Sequence, residues 1–245
     1  MYSPMKNIIS LLLVLFSTTI AISQSCSTYF PLTEDATYQM TNYKDGDTPV
    51  SVVDYAVTEV TKKDGKAIGT VHSITKDAAG AVISEMPYKV YCKNNVFSID
   101  MESMIDQKTL EQYKEMNLKM TSTTLDYPND LSIGSTLKRA SIKMTMDIAG
   151  ESTSIDMVIG NRKVIGEETI TTAAGSFKCL VLTRTFNYTI PSLNMSESFK
   201  TKLWLAEGPG IVKQLDYNAD DVLTMRSELT KYSQPKSRRR LQIMH

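Results

Sequence analysis

From residue 36 to residue 232 this chain is a succession of apolar–polar alternations cut by Gly, Asp and Asn turns, and that pattern restricts it to a β-rich fold. Val53, Tyr55 and Val57 share one parity; Ile142, Met144, Met146 and Ile148 share another, answered by Ile155, Met157 and Ile159. Lys63-Asp64-Gly65-Lys66 is a hairpin signal, because Asp-Gly accepts the positive φ angles of a tight turn. The densest β signal lies in residues 160–213, with the only Trp of the chain, Cys179, and turns at Ala173-Ala174-Gly175 and Glu207-Gly208-Pro209-Gly210. Within it the apolar parity shifts between Val181 and Leu182, as a β-bulge would produce. Pro87 places its strand at an edge or at a bulge.

The pattern predicts about eleven or twelve strands. So many strands curl or split rather than stay flat. One stretch breaks the rule: residues 103–119 lack Gly and Pro and set Leu110, Tyr113 and Met116 or Met120 opposite Lys108, Glu111, Lys114 and Glu115. Ser103 and Asp106 resemble a helix start. An amphipathic helix needs a surface to lie on. The expected fold is therefore mainly β, a large curved antiparallel sheet or half-barrel wrapped on one amphipathic helix.

Residues 1–24 read as a signal peptide, with Lys6 before an apolar run at residues 8–16 that is too short to span a bilayer and with Ala21 and Ser23 before Gln24. Residues 25–233 form the expected single β-rich domain, and residues 234–245 a basic disordered tail. The expected location is periplasmic or extracellular, and the protein is not expected to be integral to a membrane. Lipid attachment at Cys26 is the less favoured reading, since Ser23-Gln24-Ser25 is a poor approach to a lipidated Cys. Export permits disulfides. Three cysteines (Cys26, Cys92, Cys179) leave three single pairings open; Cys92 and Cys179 both look core-directed, so a bridge between them competes with two buried thiols.

Five of the 27 bases, Lys6, Lys236, Arg238, Arg239 and Arg240, lie in the terminal segments, whereas all 27 acids lie between them. The acidic body argues against nucleic acid as a partner. Only His72 and His245 could serve as an imidazole base, and Glu167 and Glu168, adjacent on a strand, point to opposite faces. No catalytic residue, cofactor or metal site is expected; Met144 and Met146 have no His or Cys beside them in sequence to make a copper site.

The segments Arg162-Lys163-Val164, Gly166-Glu167-Glu168, Gly175-Ser176-Phe177-Lys178-Cys179 and Trp204-Leu205-Ala206-Glu207-Gly208-Pro209-Gly210 resemble a family of secreted Bacteroidota proteins of unknown function, the TapB-like proteins. Cys26, Tyr29, Phe30 and Pro31 fit the same pattern over nearly all of the mature chain. A looser similarity, to periplasmic lipoprotein and lipid carriers of the LolA-like kind, implies a curved sheet on a helix. That resemblance and fourteen methionines suggest a non-enzymatic exported binding protein. The expected ligand is lipid-like, held in a concavity of Met116, Met120, Met144, Met146, Ile148, Ile155 and Met157. The competing expectation is a fully packed structural module with an envelope protein as partner.

Overall fold

The computed structural model describes residues 26–44, 46–105, 107–148 and 150–235. The expected signal peptide and most of the basic tail lie outside them. The first five strands are β1 (Thr37–Lys44), β2 (Thr48–Lys63), β3 (Lys66–Asp77), β4 (Val82–Lys93) and β5 (Val96–Asp100). After a short helix, α1 (Gln107–Tyr113), come β6 (Lys119–Ser122), β7 (Thr124–Pro128), β8 (Thr136–Leu137) and β9 (Ala140–Ile148). The long strands β10 (Glu151–Thr172) and β11 (Gly175–Ile190) follow, then β12 (Met195–Ala206), β13 (Gly210–Tyr217) and β14 (Leu223–Ser233).

All of them belong to one antiparallel sheet, ordered β6-β9-β10-β11-β12-β13-β14-β1-β2-β3-β4-β5-β7, with β8 beside β10. Its two ends, β6 and β7, are separated in sequence only by Thr123. Residues 119–128 therefore pair with β9 through their first half and with β5 through their second. Thr123 carries the ladder across, its amide donating to the Ser141 carbonyl at 2.9 Å. The sheet is thus a nearly closed barrel, which removes most of the unpaired edge that so many strands would otherwise expose. Pro87 lies in the half of β4 that pairs only with β3, where a missing N–H costs no ladder bond.

Strand alternation puts the β1–β2, β3–β4, β9–β10, β11–β12 and β13–β14 turns at one end, and the β2–β3, β4–β5, β10–β11 and β12–β13 turns at the other. At the Lys63–Lys66 hairpin Asp64 and Gly65 take φ of 51° and 72°, the mirror-image turn that Asp-Gly favours.

No amphipathic helix fills the concavity. The expected helix at 103–119 is a seven-residue α1 between 3-10 turns at Glu102–Met104 and Lys114–Met116, and it stops at Asn117, whose φ is 51°. The reason is local. The Ser103 hydroxyl accepts from the Lys89 amide at 2.8 Å and donates to the Asp100 carbonyl at 2.8 Å, so it ties the chain to the open edge of β4 instead of capping a helix. So short a helix is not stable by itself, and Leu110, Tyr113 and Met116 are only half-buried.

Residues 26–36 do the filling instead. Tyr29 is buried, and Phe30 stacks on Phe97 with ring centroids 4.3 Å apart and tilts against Tyr127 at 5.0 Å. Two glycines make room. A Cβ on Gly210, which has φ of 84°, would stand 2.7 Å from the Phe30 ring, and one on Gly69 would stand 2.7 Å from Leu32 Cδ1. Asn129 accepts from the Thr28 amide at 2.9 Å and donates to the Cys26 carbonyl at 2.8 Å. The segment is a plug in the end of the barrel that holds the β12–β13 turn, where the Gly208 amide donates to the Thr28 carbonyl at 2.8 Å.

A disulfide between Cys26 and Cys92 anchors the plug. The Cys92–Cys179 bridge that the sequence left open does not form: Cys92 is on β4 and Cys179 on β11, strands well apart in the sheet. Cys179 is a free, buried cysteine in a second cluster with Val181, Trp204, Val212 and Leu229. Leu182 belongs to the main core with Leu203 and Leu205. The parity shift at Val181 and Leu182 therefore records burial on both faces of β11. The bulge sits on the partner strand, at the register shift between Val164 and Gly166.

Candidate ligand-binding lumen

Because alternate residues of each strand face inward, the barrel interior is built from one parity of each strand. Towards the plug these residues are apolar and tight: Val71, Val90, Phe97, Leu203 and Leu205 are buried. Beyond Phe30 the packing opens into a cavity of about 460 Å³. That is within the range of roughly 300–1,000 Å³ typical of small-ligand sites.

Its wall has two chemistries. On β1, β2, β4, β5 and β7 it is mainly apolar or aromatic, with Met40, Val53, Met86, Ile99 and Leu125; Met104 of the first 3-10 turn adds to it, and Ser73 and Thr75 of β3 interrupt it. Tyr38 stacks on Tyr55 at 4.5 Å, and its hydroxyl lies 3.3 Å from that of Tyr88. On β1, β14, β13 and β11 it carries Asn42, Ser227, Gln214 and Arg184. Asn42 faces Ser227, and Ser227 faces Gln214, in strand register. The Ser227 hydroxyl donates to Asn42 Oδ1 at 2.7 Å, and Arg184 Nη2 donates to Gln214 Oε1 at 3.2 Å.

Burial pushes the Tyr55 hydroxyl up to about 12 and raises Tyr38 and Tyr88 well above the usual tyrosine range. These rings therefore stay neutral at any physiological pH. In the unfolded chain they ionise near pH 10, so the native state holds the extra protons above that pH. Stability is expected to be whole below about pH 10 and to fall as pH rises past it, by about 2–3 kcal/mol from Tyr55 alone at pH 12. Urea midpoints measured from pH 8 to pH 12 check this, and Tyr55→Phe should flatten the decline.

The seven residues proposed from sequence lie elsewhere on the barrel, on β6, β9, β10 and the second 3-10 turn. Met120, Met144 and Ile155 are in register across β6, β9 and β10, and Ile142 faces Met157. Met144 and Met146 are buried, Met116, Met120, Ile155 and Met157 are half-buried, and Ile148 is exposed. None of the seven lines the lumen cavity, whose methionines are Met40, Met86 and Met104. The signal for the lining of this cavity was present in the alternation of Tyr38, Met40 and Asn42 and of Val53 and Tyr55. It could not be oriented without knowing which face of each strand turns inward.

Other reactive groups are engaged elsewhere. His72 Nε2 pairs with Glu85 at 3.0 Å on the outer wall. Glu168 accepts from Trp204 Nε1 at 2.8 Å, the main reason its carboxyl titrates below the usual range, while Glu167 meets Lys178 at 3.3 Å. Burial pushes the Cys179 thiol up to about 11, so at neutral pH it is not a thiolate. Among the described residues no three His, Cys, Asp or Glu side chains are placed to share a metal ion, and no helix is long and apolar enough to cross a membrane.

A family model described as DUF3108-like matches residues 33–229. Among solved structures, an inferred lipoprotein from Parabacteroides distasonis ATCC 8503 aligns with a TM-score of 0.67 at 24% identity, covering 86% of this chain and 100% of that one. An inferred exported protein with a YmcC-like fold from Bacteroides fragilis NCTC 9343 aligns with a TM-score of 0.65 at 19% identity, covering 85% and 100% respectively. At these identities the likeness is one of fold. No curated protein matches the chain.

Proposed function

This chain belongs to the DUF3108-like family, and from that premise we propose that it is an exported, non-enzymatic binding protein that holds an acyl-chain ligand inside its plugged barrel. The observation that carries the reading is the cavity of about 460 Å³ beyond Phe30, walled by flexible methionines and neutral aromatic rings. Such a surface adapts to a disordered hydrocarbon chain. Burial of each methylene there is worth about 0.8 kcal/mol. A fully packed structural module would have no use for this space. Export fits the disulfide between Cys26 and Cys92, which an oxidising compartment preserves. A sulfur in that bond is not free to form a lipid thioether, so the proposed form is unanchored at Cys26.

Native mass spectrometry of the mature protein incubated with palmitate tests the proposal. One palmitate per chain is the expected result. Val53→Trp, which projects an indole into the cavity, should abolish the adduct while the far-ultraviolet spectrum stays unchanged. Absence of any adduct on the wild-type protein, or an undiminished one on a folded Val53→Trp, would sink the reading.

A further inference from the structure

We propose that Arg184 is the head-group anchor of this lumen, and that its ligand is an anionic amphiphile carrying a carboxylate on an acyl chain. The inference rests on the binding role proposed above and deepens it. Arg184 is on the cavity wall and is half-buried. Among the described residues it makes no ion pair, and its side chain has one hydrogen-bond partner, the neutral amide oxygen of Gln214 at 3.2 Å.

The neighbouring acid is occupied. Asp216 accepts from Gln214 Nε2 at 2.8 Å and from the Thr201 hydroxyl at 2.8 Å. Gln214 therefore stands between carboxylate and guanidinium, its amide turned so that nitrogen faces Asp216 and oxygen faces Arg184. That arrangement fixes the guanidinium and leaves its remaining N–H groups unmatched. Arg162, the other cation of the interior, is different. It is almost wholly buried and spends both terminal nitrogens on the carbonyls of Lys138 and Asp126, each at 2.8 Å.

A half-buried guanidinium on a cavity wall keeps only part of the solvation that water would give it. A carboxylate supplies that solvation as two parallel N–H···O bonds, geometry that a lysine could not match. The same cavity gives the tail a mainly apolar wall from Met40 round to Leu125, broken by Ser73 and Thr75 of β3, so the cation lies across the cavity from most of the apolar lining. A charge-assisted hydrogen bond is worth about 1.5–3 kcal/mol, which corresponds to roughly a ten- to hundredfold preference for acid over alcohol.

The experiment compares palmitate with hexadecanol, equal in chain length and different in charge, on the wild-type protein and on Arg184→Met and Arg184→Lys. Displacement of a fluorescent fatty acid gives each apparent Kd. The expected result is at least about tenfold tighter binding of palmitate to the wild type. Arg184→Met should lose that preference and keep its hexadecanol affinity, and Arg184→Lys should recover part of it. Equal affinity of the wild type for both ligands would overturn the anchor and leave the binding proposal standing. An equal loss of both ligands in Arg184→Met, with none restored by lysine, would assign Arg184 a structural role and also overturn the anchor. Failure of the wild type to bind either would overturn the binding proposal as well. The wild-type comparison needs no variant, so a poorly folded Arg184→Met does not remove the test.

Discussion

Replacing Cys26 and Cys92 together with serine is expected to lower the unfolding free energy by about 2–5 kcal/mol. The bridge joins positions 66 residues apart. On the chain-entropy account, a closed loop of that size confines the unfolded ensemble by about 4 kcal/mol. Here it also fixes the plug, so the loss reaches beyond the loop. With residue 26 untied, the plug keeps the packing of Phe30 against Phe97, Tyr127 and the space over Gly210 and the hydrogen bonds to Asn129 and Gly208, but no covalent tie. For a chain of this length each kcal/mol is worth about 2–4 °C in Tm, so a fall of roughly 5–15 °C is expected by calorimetry. Reductant should produce the same fall in the wild type and none in the double variant. An unchanged Tm in both would show that the plug does not depend on its tether. Thiol labelling supplies the chemical counterpart: the native protein should leave Cys179 as its single free thiol among the three cysteines, reactive only after unfolding.

Arg162→Met is expected to cost about 2–4 kcal/mol. Arg162 sits 3% exposed on β10 and donates to the Asp126 carbonyl on β7 and to the Lys138 carbonyl just before β9. Its guanidinium also lies over the Tyr127 ring, 4.8 Å from the centroid. These bonds cross the place where the barrel closes, because β7 and β9 flank the junction of residues 119–128. Methionine fills similar space and leaves both carbonyls in the interior without donors, beside an Asp126 Oδ1 that is itself buried without a partner. A large drop in the urea midpoint is expected for Arg162→Met, and a shift of less than about 1 kcal/mol for Arg184→Met on the cavity wall. Equal effects of the two would show that Arg162 does not bolt the seam.

Much of the fold was legible in local chemistry. The strand boundaries of β1 to β5 follow alternation and turns, and Asp64-Gly65 turns the chain as its residue types dictate. Glu167 and Glu168 find separate partners because a strand sends neighbours to opposite faces. What failed did so for identifiable reasons. The periodic stretch at 103–119 has helix-forming residues throughout, yet Ser103 and Asp100 bind it to β4. The methionines of β6, β9 and β10 do share a face, but the cavity beyond Phe30 lies against other strands. Arg162 was visible only as the head of a segment that carries the family resemblance. Nothing in its neighbours announces the two carbonyls that receive it, since both come from elsewhere in the chain.

The sequence alone determined what depends on residues close together: a β-rich antiparallel chain, its hairpins and the opposed glutamates. The tertiary structure decided everything that depends on closure. It brought β6 and β7 to opposite ends of one sheet, drew residues 26–36 inside in place of a helix, paired Cys26 with Cys92 and left a cavity bounded by Met40, Met86 and Arg184. The physical reason is that alternation fixes which residues share a face, whereas inward and outward are defined only once the sheet has curved round on itself.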